Sequence, residues 1–149
     1  MKDKQLTAAF VGTFNPFTIG HLSIARRALA LVDQLYIGVG INPQKANNAN
    51  QEDIAQNIRH IFEGNPNVKV ETYSGLTVDF CKKVGATVIV KGVRSALDFE
   101  YERTQADINR QIEGIDTMLL ISEPQYAHIS STMVRELMNY GKDVSKFLP

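Results

Sequence analysis

Short apolar runs rich in β-branched residues alternate with helical patterns along this chain, and that alternation constrains the fold more than any other feature. Strands are predicted at residues 5–11, 34–40, 67–73, 87–91 and 117–121. Helices are predicted at residues 20–32, 51–63, 77–84, 98–113 and 131–140. Strands that alternate with helices imply a parallel sheet with helices on both faces. We therefore expect one α/β domain over residues 1–149, built on a five-stranded parallel sheet.

Charge and composition exclude several classes of partner. Sixteen basic residues balance sixteen acidic ones, so the net charge is zero and no bulk attraction to nucleic acid or to a membrane surface is indicated. The sequence shows neither a signal-peptide pattern nor a long apolar span. The single cysteine, Cys81, fits a structural role in a reducing compartment. We expect a cytoplasmic protein with no nucleic-acid or membrane partner.

Four loops are expected to meet beyond the carboxyl ends of the strands, where such sheets bind their ligands near the reversal of strand order. They comprise residues 13–21, 42–45, 92–98 and 122–131. Two familiar phosphate cradles are absent, because no G-x-x-x-x-G-K-[ST] occurs and Gly38-Val39-Gly40 is not completed as G-x-G-x-x-G. A bound nucleotide must therefore be held by another device.

The segment Gly12–His21 supplies such a device, since it reads as a strand end, a tight loop and a helix start. A helix N-terminus offers free N–H groups and positive dipole charge to a phosphate. His21, in the first turn, adds a donor that can be neutral or charged near pH 7. The two other histidines are weaker candidates: His60 is expected on the surface, and His128 beside the site.

Further polar groups follow the fourth and fifth strands. Lys91 can bind phosphate oxygens as a point charge, and Arg94 can bind them as a bidentate donor. Asp98 is a plausible N-cap, and Asp98 and Glu102 are expected to support Arg94 or to contact a sugar or base.

The hydroxyls of Ser130, Ser131 and Thr132 open the fifth predicted helix. They either cap it or form a second anion site, and three in a row exceed the needs of a cap. Lys45, after the second strand, is ambiguous by itself, but its expected position above the sheet is consistent with a mobile lysine that binds phosphate.

Taken together, these segments resemble the bacterial phosphopantetheine adenylyltransferases, of the nucleotidyltransferase superfamily. The family pattern G-T-F-D-P-x-x-x-G-H appears as Gly12–His21 with Asn15 in the Asp position, and S-P-x-K corresponds to residues 42–45. R-G-[LV]-R, D-F-E-Y-E and I-S-S-[ST] appear at residues 91–94, 98–102 and 129–132. Lys91 departs from the family by replacing an arginine, which removes a bidentate fork.

The resemblance implies a Rossmann-like nucleotidyltransferase that joins ATP to 4′-phosphopantetheine, giving dephospho-CoA and pyrophosphate without a covalent intermediate. It implies Mg²⁺ carried by the ATP phosphates with no protein metal ligands, CoA as a feedback inhibitor, and a homohexamer. It assigns catalysis to His21, Lys45 and Arg94, with His21 stabilising the transition state. The implied ATP-binding residues are Thr13, Phe14, His21, Gly92, Val93, Arg94, Glu102, Tyr126, Ala127, His128, Ile129, Ser130, Ser131 and Thr132. The implied phosphopantetheine-binding residues are Thr13, Lys45, Thr77, Lys91 and Asn109.

Two alternatives remain at this point. Another nucleotidyltransferase could use a different phosphate acceptor, such as glycerol phosphate or nicotinamide mononucleotide, although the segment at residues 98–102 argues against it. A module that senses a nucleotide or CoA could bind without reacting, although His21 and Arg94 are both present.

Overall fold

The computed structural model describes residues 5–41 and 50–149. Its strands are β1 (Thr7–Gly12), β2 (Gln34–Ile41), β3 (Val68–Ser74), β4 (Val88–Val93) and β5 (Asp116–Ile121). Its helices are α1 (Ile19–Leu29), α2 (Gln51–Ile61), α3 (Thr77–Val84), α4 (Ala96–Glu113) and α5 (Ser131–Asn139). Every neighbouring strand pair is parallel. The predicted five-stranded parallel sheet is therefore confirmed.

The strands are ordered β3-β2-β1-β4-β5. The chain moves outward from β1 through β2 to β3, and β4 then returns to the other side of β1. The order thus reverses between β1 and β4, where Ala8 pairs with Val88 and Phe10 with Val90. Open α/β sheets bind ligands in the crevice at such a reversal.

Alternate residues of the central strand β1 pack into two different hydrophobic layers. Ala8 and Phe10 belong to the layer covered by α1 and α2, whereas Ala9 and Val11 belong to the layer covered by α3. All four are buried. A parallel strand between two helical layers is apolar on both faces, and this explains the continuous apolar run that identified it.

The second layer depends on the missing side chain of Gly38 in β2. Tyr73 and Phe80 stack with their ring centroids 4.5 Å apart. A Cβ on Gly38 would lie 2.7 Å from Phe80 Cε2 and 3.0 Å from Tyr73 Cε1. Glycine at this position therefore lets two aromatic rings lie directly on the sheet.

Helix α4 begins two residues earlier than predicted, and this corrects the role given to Asp98. Ser95 is the N-cap, and its hydroxyl accepts a hydrogen bond from Asp98 N at 3.2 Å. Asp98 lies in the first turn instead, where its charge complements the helix dipole. Across the described residues, no helix is both long enough and apolar enough to cross a membrane.

Candidate active site

A cavity of about 320 Å³ opens at the strand-order reversal. Its walls come from the loop between β1 and α1, the end of β4, the first turns of α4, and the segment that leads into α5. This volume falls in the usual range of small-molecule sites, roughly 300–1,000 Å³. Loops expected to converge after the first, fourth and fifth strands do so here.

Most residues implied to bind the substrates line this cavity. They are Thr13, Phe14, His21, Lys91, Gly92, Arg94, Glu102, Tyr126, Ile129, Ser130, Ser131 and Thr132. Five others do not line it, namely Val93, Ala127, His128, Thr77 and Asn109. Lys45 lies outside the described residues.

His21 is held by a capping box at the start of α1. Thr18, the N-cap, accepts a hydrogen bond through its hydroxyl from His21 N at 3.3 Å. In return, Thr18 N donates to His21 Nδ1 at 2.9 Å. A nitrogen that accepts a backbone N–H carries no proton, so the network assigns the proton of the neutral ring to Nε2. The spacing T-x-x-H is the signal for this box, with histidine replacing the usual Glu or Gln.

The surroundings of His21 keep its ring uncharged. Burial, and then the positive charge of Arg94, lower the pKa of His21 from 6.5 to about 4. Phe14 and Phe17 pack against the imidazole with centroids 5.0 and 5.4 Å away. The sequence left both protonation states open, and the structure favours the neutral one. His21 therefore offers an Nε2–H donor to a ligand.

The loop before α1 places Phe14 in an unusual conformation. Its φ is +50°, in the left-handed region that residues other than glycine seldom adopt. The ring nevertheless packs edge-to-face against Phe10 and Phe17, with centroids 5.2 and 5.3 Å away. The buried aromatic cluster thus fixes the turn that lines the cavity.

Two cations of the cavity are paired with carboxylates of α4. Arg94 Nε is 3.3 Å from Asp98 Oδ2, as the sequence predicted. Glu102 does not support Arg94, because its Oε2 lies 3.4 Å from Lys91 Nζ. This buried oxygen makes no hydrogen bond within the described part of the chain. It therefore holds Lys91 by charge alone and keeps its capacity to accept from another donor.

The three consecutive hydroxyls at α5 all have partners within the protein. Ser130 caps the helix by accepting from Met133 N at 3.1 Å. Ser131 donates to the carbonyl of Pro16 at 2.7 Å, and Thr132 accepts from Arg135 Nη2 at 3.3 Å. Each of the three hydroxyls therefore has a structural role. They are ligand candidates because they line the cavity.

Arg135 is a residue that sequence reasoning missed. Its Nη1 also donates to the carbonyl of Asn15. Together with Ser131, it ties the start of α5 to the loop between β1 and α1. Its place one helical turn after Ser131 was the available signal, since residues at i and i+4 share a helix face.

Four of the five residues that do not line the cavity lie at the following places in the fold. Val93 is buried, and its carbonyl accepts from Ser122 N at 2.9 Å. Thr77 opens α3, where its hydroxyl lies 3.0 Å from that of Tyr73. Asn109 lies about two turns beyond Glu102 along α4. His128 is exposed in the turn before α5.

His60, expected on the surface, and Cys81, expected to be structural, do not line the cavity. His60 is exposed on α2, where its nearest charged neighbour is Glu63 at 3.4 Å. Cys81 is buried, and burial raises the pKa of its thiol to about 11. A thiol with this pKa is inert near neutral pH.

The carboxylates of the cavity wall face cations. Among residues 5–41 and 50–149, no group of three or more His, Cys, Asp or Glu side chains could hold a metal ion. The two carboxylates on the cavity wall, Asp98 and Glu102, face Arg94 and Lys91.

Comparison with known proteins decides the family. The family model described as cytidylyltransferase-like matches residues 9–137. A phosphopantetheine adenylyltransferase of Bacteroides thetaiotaomicron is 50% identical over 142 residues, covering 95% of this chain and 94% of that protein. The chain belongs to the phosphopantetheine adenylyltransferase family. The resemblance to this family that the short motifs indicated is therefore confirmed, and the chain is a nucleotidyltransferase.

Other relatives agree with this assignment. The phosphopantetheine adenylyltransferase of Porphyromonas gingivalis is 48% identical over 146 residues, covering 98% of this chain and 95% of that protein. A solved structure from Vibrio parahaemolyticus, described as a nicotinate-nucleotide adenylyltransferase, superposes with a TM-score of 0.64 over 97% of this chain and 94% of that one. At 22% identity, that likeness supports the nucleotidyltransferase fold.

Proposed function

We propose that this chain, as one domain over residues 1–149, transfers the adenylyl group of ATP to 4′-phosphopantetheine, giving dephospho-CoA and pyrophosphate. The observation that carries the proposal is the meeting of His21, Lys91 and Arg94 around one cavity in a member of this family. The cavity provides cations, hydroxyls and an uncharged imidazole donor. These are the groups that two phosphate-bearing reactants require.

The chemistry needs positioning and charge stabilisation more than it needs a base. The attacking group is already a phosphate anion, so direct in-line attack at the α-phosphorus requires no nucleophile from the protein. The barrier comes from bringing anions together and from charge on the transferred group. A neutral His21, with Nε2–H directed by its Nδ1 contact, supplies a donor for that charge at neutral pH.

We assign the two substrates to different walls of the cavity. The residues assigned to ATP are Thr13, Phe14, His21, Gly92, Val93, Arg94, Glu102 and the segment that runs from Tyr126 through Ala127 and His128 to Thr132. The phosphate of the acceptor is assigned to Thr13 and Lys91, with Lys45 as a further cation. Thr77 and Asn109, which lie beyond the cavity, would meet the pantetheine arm.

Magnesium belongs to the substrate in this proposal, entering as Mg²⁺·ATP. The pairing of Asp98 and Glu102 with cations supports a metal held by phosphate oxygens rather than by a protein cage. The single cysteine supports work in a reducing compartment, the cytoplasm, where ATP is available.

Self-association is also proposed, as a homohexamer. Leu97, Tyr101, Ile108 and Ile112, here called the α4 stripe, lie four or seven residues apart on one side of α4. Their exposed fractions are 81%, 66%, 44% and 51%. No residue of this 18-residue helix is buried. An exposed apolar helix face of this kind is typical of a protein–protein interface.

The proposed reaction is tested by measuring pyrophosphate release from Mg²⁺·ATP with three acceptors: 4′-phosphopantetheine, glycerol phosphate and nicotinamide mononucleotide. We expect turnover with the first alone. Turnover of another acceptor without 4′-phosphopantetheine would replace this proposal with the first alternative. Thermal stabilisation by ATP without turnover of any acceptor would favour a sensing module, since any native-state ligand stabilises.

CoA is proposed as a feedback inhibitor of this reaction. It contains the pantetheine arm of the acceptor and the adenosine of ATP, so it can occupy both walls of the cavity. Competitive inhibition of pyrophosphate release by CoA is expected against 4′-phosphopantetheine. Unchanged rates at saturating CoA would contradict this part of the proposal.

A further inference from the structure

Gln51 is a buried amide beside the cavity that no motif identified. Its side chain is 4% exposed, and among the described residues only Thr18 is another polar residue buried to this degree. Glutamine is mostly an exposed residue, so its burial at the start of α2 requires partners for its polar atoms.

The partners of Gln51 are two carbonyls at the carboxyl ends of the central strands. Nε2 donates to Gly40 O at 2.7 Å and to Thr13 O at 3.3 Å. The ladder between β1 and β2 ends at the pair Gly12 and Val39. Gln51 therefore links β1 to β2 one residue beyond their last ladder pair, at the start of the loop that lines the cavity.

The contact with Thr13 fixes the direction of the next N–H group. The peptide between Thr13 and Phe14 is trans, so its C=O and N–H point in opposite directions. Because Gln51 holds the Thr13 carbonyl, the Phe14 N–H points away from Gln51. Thr13 and Phe14 line the cavity, whereas Gln51 does not.

This turn also needs a restraint from outside. Phe14 has a φ of +50°, a conformation that costs a non-glycine residue free energy and persists only where its surroundings hold it. Phe10 and Phe17 hold the ring. Gln51 holds the backbone on the residue before it.

We propose that Gln51 is a positioning residue, which orients the Thr13–Phe14 peptide so that this turn can donate to a nucleotide phosphate. The inference rests on the proposed function, because it assumes that ATP occupies this cavity. It goes further by naming the side chain that sets the geometry of the turn. A purely structural Gln51 would affect stability and leave the kinetics of the folded protein unchanged.

The test uses Gln51→Leu, which keeps a similar volume and removes both donors. Gln56→Leu is the matched control, since it makes the same change at an exposed position on the same helix. Pyrophosphate release and ATP affinity by calorimetry are measured on protein shown to be folded by circular dichroism. We expect kcat/KM for ATP to fall by about 10- to 100-fold in Gln51→Leu, the scale for misplaced catalytic groups, and to stay within twofold in Gln56→Leu.

A second variant covers the case in which Gln51→Leu does not fold. Gln51→Glu has nearly the same shape, but its carboxylate repels both carbonyls, and only its protonated form can donate. Burial raises the pKa of such a carboxyl. The ratio of variant to wild-type kcat/KM should therefore rise as the pH is lowered from 8 to 6. A ratio that does not change with pH would overturn the proposal, as would Gln51→Leu kinetics within twofold of wild type.

The outcome also separates this inference from the proposed function. If the wild-type chain shows no turnover with 4′-phosphopantetheine, the proposed reaction fails, and ATP affinity alone then decides the role of Gln51. An affinity loss of at least tenfold in Gln51→Leu, with Gln56→Leu unchanged, would still support the positioning role. Equal affinities in the two variants and the wild type would reject it.

Discussion

His21 shows how local contacts set both the orientation and the charge of one side chain. The capping box with Thr18 uses Nδ1 as an acceptor, and burial beside Arg94 disfavours the charged ring. The result is a neutral donor whose proton is on Nε2. Such a group can donate its Nε2–H to charge that develops on a phosphate.

Replacing His21 with alanine should lower turnover far more than ATP affinity. Loss of one donor to a developing charge typically costs about 10²- to 10³-fold in kcat. Steady-state pyrophosphate release and ATP calorimetry measure the two effects. His60→Ala is the control, because His60 is exposed on α2 and should leave both unchanged. Near-normal turnover in His21→Ala would remove this residue from the mechanism.

The lowered pKa of His21 also predicts how stability depends on pH. Between about pH 4 and 6.5 the unfolded chain binds a proton on this ring that the folded chain does not bind. The free energy of unfolding should therefore rise with pH across that window, by up to about 3 kcal/mol from this group. The contribution is complete above pH 6.5 and is lost as the pH falls towards 4.

Urea unfolding at pH 5 and pH 7 measures this dependence. His21→Asn should show a smaller difference between the two pH values than wild type, whereas His60→Asn should retain it. An NMR titration that gives His21 a pKa above 6 would contradict the neutral assignment.

Lys91 is expected to act on the acceptor more than on ATP. Lys91→Ala should raise KM for 4′-phosphopantetheine by about tenfold, the scale of one hydrogen bond to a charged group, and change KM for ATP less. Lys82→Ala is the control, since it also removes a lysine paired with α4, through Glu113 at 3.0 Å, away from the cavity. Equal effects of Lys91→Ala on both substrates would contradict the assigned role.

At the scale of helices and strands, capping residues and close contacts set the ends of the elements, which the spacing of apolar residues does not fix. Helix α4 begins at Ala96 because Ser95, rather than Asp98, accepts the first free N–H group. Helix α3 ends at Gly85, whose φ of +79° suits a residue without a Cβ, as the sequence indicated. Strand and helix types follow from local pattern, whereas their ends depend on which side chain reaches the backbone.

Gly38→Ala should destabilise the sheet against α3. The added Cβ would lie 2.7 Å from the buried Phe80 ring, and overpacking of this kind typically costs about 1–3 kcal/mol. Gly40→Ala is a matched control on the same strand, because its Cβ would approach Tyr73 Oη only to 3.6 Å. Thermal and urea unfolding measure both variants. Equal stabilities of the two would show that the stacked rings can move aside at little cost.

At the scale of the whole molecule, the α4 stripe is an apolar helix face that the described part of the chain leaves exposed. An 18-residue helix without a buried residue gains little from packing within its own subunit. Its outer apolar residues gain more when a second copy covers them.

The double substitution Ile108→Glu and Ile112→Glu should shift the protein toward the 16.6 kDa monomer. Charges at the centre of an apolar interface are desolvated without partners and oppose association. Sedimentation velocity measures the mass distribution. Leu31→Glu, at a position that is 55% exposed outside α4, is the control. A wild-type chain that is monomeric at all concentrations would contradict the proposed hexamer.

The amino-acid pattern was enough to predict the alternation of strands and helices, the parallel sheet and the motifs that surround the cavity. These follow from short-range regularities, namely the spacing of apolar residues and the phosphate-binding segments within single loops. It also offered support of the neighbouring Arg94 as one of two roles for Asp98, and the structure has that pair.

The folded structure, in contrast, shows which residues far apart in sequence contact one another. It paired Glu102 with Lys91, gave each hydroxyl at α5 a partner, left His21 neutral, and brought Gln51 to Thr13. The contact between Arg135 and Asn15 joins residues 120 positions apart. Such contacts, and the burial that shifts a pKa, depend on the three-dimensional packing of the whole sheet, and a local pattern contains no record of that packing.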